Sequence, residues 1–261
     1  MIDAEVDFPS DFPARLARWQ VLHRQAGPGR SYPHAWRLPE LARTWGPEAV
    51  LTAQEALALD LYTLGRFQDC LAALPSHTHR PLAQTLARRA AGLTGEPPAS
   101  PPAPDTTPLE AGYQSYLFDT PAPAPLALPA EDGQSDGLLA RLLETWRQAR
   151  LGQMPPLAPG HRVLARLRQL NPTLGVEAEA LLAECQFLIA PRWSVVWLDH
   201  ALDQVERFSQ HHLKVRLQGL KARALAAAGE LGESERFRRQ AADLAERQGA
   251  RFYLARFIDP A

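Results

Sequence analysis

Residues 220–250 read LKARALAAAGELGESERFRRQAADLAERQGA, two helical patterns separated by Gly229-Glu230-Leu231-Gly232. In the second pattern Phe237, Ala241, Leu244 and Ala245 fall at i, i+4, i+7 and i+8, one apolar stripe. Arg238, Arg239, Asp243, Glu246 and Arg247 face away from it. Glu233 and Glu235 sit near the positive end of that helix, and Gly249 ends it. The preceding helix, from 212, carries two stripes, Leu213/Leu217/Leu220/Ala224 and Val215/Ala222/Leu225. A helix apolar on two sides has to be covered on two sides. Two such helices read either as a DNA-reading helix-turn-helix or as one unit of a stacked array. The DNA motif wants apolar residues one and six positions after its turn glycine. Counting from Gly232 these are Glu233 and Arg238, and from Gly229 they are Glu230 and Glu235. Both registers fail, so a stacked hairpin is expected.

The same grammar extends upstream. Helical patterns over 136–152, 159–171, 174–190, 192–210, 212–229 and 233–249 group into three hairpins starting at 136, 174 and 212. That spacing falls among helical-hairpin repeats. Before residue 97, helices are expected at 11–25, 38–45, 48–64, 66–74 and 81–94, the first capped by Ser10 or Asp11. Gly27-Pro28-Gly29 reads as a stop, and AGPGRSYP (26–33) as a turn, since it lacks the Gly-Lys-Ser/Thr of a phosphate loop. Ten prolines in the 33 residues Pro97–Pro129 predict an extended connector. Its apolar insert, LEAGYQSYLFD (109–119), offers Leu109, Tyr113, Tyr116 and Leu117 for docking. Alternating strand patterns are nearly absent. The expected organisation is a helical region 1–96, a connector with a short docking insert 97–135, and a hairpin-repeat region 136–261.

GLKARALAAAGELGESERFRRQAADLAERQGA (219–250) resembles a tetratricopeptide-type (TPR-like) repeat of the degenerate kind found in bacterial regulatory proteins. LDLYTLGRFQDCLAAL (59–74) is similar, with Gly65, Phe67 and Cys70 at the turn-glycine, aromatic and small positions, and RQLNP (168–172) resembles the close of such a repeat. The resemblance implies an all-α fold of antiparallel helical hairpins, stacked as a right-handed superhelix or α-solenoid and here interrupted by the Pro-rich connector. It also implies protein–protein interaction, usually through the concave surface.

Composition bounds the function. The 261 residues are 46% hydrophobic and 22% charged, with net charge −1. No apolar run reaches the ~18–20 residues of a membrane span. The acidic start, MIDAEVDFPSDF, lacks the layout of a secretion signal, so a cytoplasmic location is expected. Cys70 and Cys185 fall inside helical patterns and read as buried, reduced thiols. Only Lys214 and Lys221 are lysines, and Asn171 is the single asparagine. That skew matches a GC-rich genome, which weakens arginine abundance as a sign of nucleic-acid binding.

Candidate sites are few. His77 and His79 lack a third ligand, and adjacent His211 and His212 diverge on a helix, so neither pair makes a metal site, and no metal or cofactor is expected. His212 reads as a capping or solvent-facing residue, and Glu177 and Glu184 as surface carboxylates. No catalytic motif is present, so the chain is expected not to be an enzyme. In PRWSVVWLDHALDQVERFSQ (191–210), Trp193, Trp197, His200 and Gln204 form one stripe and Leu198, Leu202 and Val205 another. If the aliphatic stripe is core, the tryptophan stripe lines a groove for a protein or peptide; otherwise both are buried between hairpins. Arginine outnumbers acid over 137–173 and 213–256. The alternative function is therefore a nucleic-acid face built from Arg147, Arg150, Arg162, Arg166, Arg238, Arg239 and Arg251, with Phe252, Tyr253 and Phe257 interleaved.

Overall fold

The computed structural model describes residues 11–75, 80–95, 107–118 and 135–258, and these are helical with no strand among them. The first seven helices are α1 (Phe12–Ala26), α2 (Pro28–Ala35), α3 (Leu38–Ala42), α4 (Pro47–Thr63), α5 (Phe67–Ala73), α6 (Pro81–Thr94) and α7 (Pro108–Phe118). The second seven are α8 (Ser135–Arg150), α9 (Leu157–Leu170), α10 (Pro172–Ile189), α11 (Val195–Arg207), α12 (His211–Ala228), α13 (Leu231–Gln248) and α14 (Arg251–Ile258).

Local chemistry sets the helix starts. The Asp11 carboxylate accepts from the Ala14 amide at 2.8 Å and caps α1. The Asn171 side chain accepts from Leu174 N–H, and Pro172 occupies the first helical position of α10, where its missing N–H costs nothing. Gly27-Pro28 also starts a helix, α2, where the sequence reads as a turn. Proline before glycine stops one helix, yet proline at a first helical position begins the next. Gly46-Pro47 opens α4 in the same way. The last helix, α14, is also missing from the sequence reading; its Tyr253 is fully buried.

The quoted stretch folds as its pattern requires. On α13 Ala241 and Ala245 are buried, and Leu244 packs against the core. On α12 both stripes are buried. Successive helices pair: α8 with α9, α10 with α11, and α12 with α13. The first member of each pair also packs on the N-terminal half. Helix α7 packs on α8 and α1 on α10, the end of α4 meets the start of α12 at Thr63 and His212, and α6 packs on the terminal helix α14. Residues of both halves, from Phe12 to Tyr253, consequently share one apolar cluster. The connector insert is helix α7, with Tyr113, Tyr116 and Leu117 buried as docking requires. Val176, Ala180, Leu198, Ala201, Val205, Leu213 and Leu217 make a second cluster between α10, α11 and α12.

Two loops meet at the seam between the halves. A Cβ built on Gly27 would lie 2.1 Å from the Phe208 carbonyl oxygen, so only glycine lets the α1–α2 turn approach the α11–α12 loop. Gly27 (φ 81°) and Gly46 (φ 99°) share nearly the same strained backbone, but a Cβ on Gly46 meets nothing. Gly46→Ala therefore carries only the conformational cost, about 1–3 kcal/mol. Gly27→Ala is expected to lose at least ~1 kcal/mol more, because a backbone carbonyl must also move. Urea midpoints of the two variants check this, and equal losses would show that the two loops do not touch.

Candidate functional site

Helix α11 separates its two stripes cleanly. Leu198, Ala201 and Val205 are buried among α10 and α12. The opposite face stays open: Trp193 is 69% exposed, Val196 75% and Trp197 42%, with His200 and Arg207 also exposed and Gln204 half-buried. Trp193 lies in a short 3-10 turn, Pro191–Trp193, just ahead of α11. The Trp197 ring sits 4.9 Å from the His161 ring of α9, and the Arg192 guanidinium lies over Trp193. One end of the stripe is thus an aromatic platform.

The other end is cationic. A cleft of about 260 Å³ is lined by Arg168, Pro172, Val176, His200, Gln204, Arg207 and Phe208. Glu179 sits beneath it and is bonded to both Arg168 and His200. A second cleft of about 370 Å³ adjoins across Arg207 and Phe208, lined also by Gln25, Ala26, Gly29, Arg30 and Ser209. Sequence reading found His200 and Gln204 but missed Arg207, which continues the same stripe one turn on. Arg168 and Arg30 come from α9 and α2 and left no local signal.

The seven candidate arginines do not share one element pair. Arg147 and Arg150 are on α8, Arg162 and Arg166 on α9, Arg238 and Arg239 on α13, and Arg251 opens α14. Helix α9 packs on α8 and α10, while α13 packs on α12 and α14. Glu144 holds Arg147, and Glu235 holds both Arg238 and Arg239. Arg150 lies over the Trp146 ring. Tyr253 is core and Phe252 packs against the core, so neither interleaves with Arg251 on the surface; Phe257's side chain is outside the described set.

Buried polar groups run along the seam between the halves. Glu184 takes two bonds from Arg216, at 2.6 and 2.8 Å, and one from the Trp146 indole at 3.1 Å. Arg216 also donates to the Leu117 carbonyl and lies over the Tyr116 ring. Arg89 pairs with Glu110. His212, fully buried, has Nδ1 3.2 Å from the Thr63 carbonyl and Nε2 3.9 Å from Glu177. Two expectations are corrected here: Glu184 is a core carboxylate and Glu177 a largely covered one, and His212 faces neither solvent nor a cap. Their partners lie on helices remote in sequence, which is why spacing alone places them at the surface. Burial pushes the Glu177 carboxyl above its usual range, against the pull of Arg89 and Tyr113. Burial pushes His212 down to about 3, more than the Thr63 carbonyl restores.

Asp60, with no exposed surface, accepts from the Trp19 indole at 2.9 Å and from Ser31 at 2.8 Å, and it lies 2.6 Å from His23 Nδ1. Serine, histidine and aspartate meet there in the wrong order for nucleophilic chemistry. The serine donates directly to the carboxylate, so no imidazole stands ready to take its proton. The cluster ties α1, α2 and α4 together. Cys70 and Cys185 are buried and unpaired, and burial raises both thiols, Cys70 to about 12. No group of three His, Cys, Asp or Glu that could hold a metal occurs among the described residues; His77 and His79 lie outside them. No described helix is long and apolar enough to cross a membrane. No protein-family model, curated protein or solved structure matches the sequence.

Arg216→Met leaves Glu184 charged and buried, and about 3–5 kcal/mol of stability should be lost; Arg216→Met with Glu184→Leu should recover most of it. Chemical denaturation reads both. In acid, His212 and Glu177 work in opposite directions. The His212 pKa is depressed by folding, so its contribution is present above about 6.5 and is lost as pH falls toward about 3. The Glu177 pKa is raised, so its contribution is present below the ordinary value of 4.5 and is lost as pH rises. Urea midpoints between pH 7 and 4 should thus fall less steeply in His212→Asn and more steeply in Glu177→Gln, by at most ~1.4 kcal/mol per pH unit.

Proposed function

We propose that the chain is a non-enzymatic, cytoplasmic interaction protein, a TPR-like array of helical hairpins that binds a protein or peptide along the outward face of α11. The observation that carries this reading is the exposure of Trp193, Val196 and Trp197 side by side, continuing through His200 and Gln204 into a cleft. Large apolar side chains grouped in the open lose free energy to water unless a partner covers them. Tryptophan beside arginine is the composition of binding hot spots. The TPR-like resemblance pointed to the inner surface. Support for looking elsewhere comes from the N-terminal helices: α7, α1 and α6 pack on α8, α10 and α14, and α4 touches α12. The exposed face of α11 is where two tryptophans and a valine are grouped next to a cleft.

The nucleic-acid alternative has less support, because Arg147, Arg238 and Arg239 are neutralised by carboxylates on their own helices. Trp193→Ala should change stability by no more than ~0.5 kcal/mol, since its ring is largely exposed, and Trp197→Ala, whose ring is over half covered beside His161, by about 1 kcal/mol. Quantitative affinity purification should then show at least one partner recovered by the parent chain and lost by both variants; equal recovery of every partner would count against the α11 face. Tight duplex or single-strand binding at 50 mM salt that weakens steeply with added salt would replace this reading with the alternative.

A further inference from the structure

We propose that the cleft between the α1–α2 turn and the α11–α12 loop is an oxyanion site for a phosphate-type dianion. Its lining is Gln25, Ala26, Gly29, Arg30, Arg207, Phe208 and Ser209: two guanidinium groups, a side-chain amide, a hydroxyl and no carboxylate. Among the described residues neither Arg30 nor Arg207 has an acidic partner, unlike Arg168 of the neighbouring cleft, which Glu179 holds. Arg207 lies over the Phe208 ring, whose face leaves its charge uncompensated by any anion. Two like charges over one cleft repel, and an anion between them relieves that repulsion. Planar guanidinium forks suit the paired oxygens of phosphate better than a point cation does.

The cleft is also held in place. Thr173, at the start of α10, donates to the His23 and Arg24 carbonyls at the end of α1, and Gln210 donates to the Thr173 carbonyl. The Gly27 backbone rests on the Phe208 carbonyl. The backbones that carry Arg30 and Arg207 are thus held near each other before any ligand arrives, so binding has to order only the side chains, about 0.5–1.5 kcal/mol each. The neighbouring cleft differs, since Glu179 already satisfies Arg168 and His200. The dianion has two sources, a free phosphate ion or a phosphoester on a segment lying along α11. The site stands on the arginine pair and is independent of the tryptophan face.

The test uses the full chain and thermal melting or titration calorimetry at constant ionic strength, with sodium phosphate against sodium chloride. A saturable rise in melting temperature with phosphate is expected. Arg30→Gln and Arg207→Gln should each weaken binding about tenfold or more, while Arg43→Gln, exposed in the Arg43–Trp45 turn and lining neither cleft, leaves it unchanged. Both variants should melt like the parent in chloride, which separates lost binding from lost folding. A second arm compares a phosphoserine peptide with its unphosphorylated twin. Binding of phosphate alone assigns the free ion; binding of the phosphopeptide, with inorganic phosphate as competitor, assigns the phosphoester. Trp197→Ala should keep the phosphate response whatever it does to partner capture, so the two readings fail separately. An identical phosphate response in the parent, Arg30→Gln and Arg207→Gln would overturn the site, as would no response in either arm up to about 20 mM, beyond the millimolar range of weak binding.

Discussion

Helix α12 has almost no face to give to water, and the fold is organised around that constraint. Leu213, Val215, Leu217, Leu220, Ala222, Ala224 and Leu225 surround its axis and are all buried. Helices α11 and α13 cover one side. The rest is covered by α10, α14 and the Pro191–Trp193 turn, and the end of α4 meets the start of α12 where Thr63 faces His212. Helices α8, α10 and α14 likewise pack on α7, α1 and α6, so the N-terminal half lies against the C-terminal hairpins as a lid. The connector insert, α7, belongs to that lid, carrying Tyr113, Tyr116 and Leu117 into the shared core.

The seam beneath the lid is not an oily one. Arg216 with Glu184, Arg89 with Glu110, and His212 beside Glu177 are all drawn out of water there. Pairing returns much of the desolvation cost, and an apolar seam of equal volume would be at least as stable. What buried pairs add is a penalty for misalignment. Sliding α12 along α10 by one turn, about 5.4 Å, would separate Arg216 from Glu184 and strand both charges. Small residues on α12 tolerate many registers, so alignment falls to the charged pairs.

That division of labour decides what could be read from the sequence. Hairpins over 136–249 were legible because an amphipathic stripe and a turn glycine are local signals. Two-sided burial of α12 was legible for the same reason. The seam was not: Glu184 looks like any helix carboxylate until Arg216, 32 residues away, is placed on it. Helix α2 was lost because Gly-Pro-Gly carries a stop and a start in the same three residues. Helix α14 was lost because Phe252 and Tyr253 among arginines read as a surface pattern, although Tyr253 is wholly buried. On α11 the opposition of tryptophan and aliphatic stripes was visible, while its exposure depended on which neighbours reached it.

The outward face of α11 stays open. The N-terminal helices that reach the C-terminal half pack on α8, α10, α12 and α14, and Trp193, Val196 and Trp197 stay exposed. At the far end of the same helix, Arg207 meets Arg30 where the edge of the lid reaches the array. One arginine belongs to each half, so an anion held by both would bridge them. By linkage, any ligand that needs both halves in register stabilises the seam by the same free energy that the seam lends to its binding.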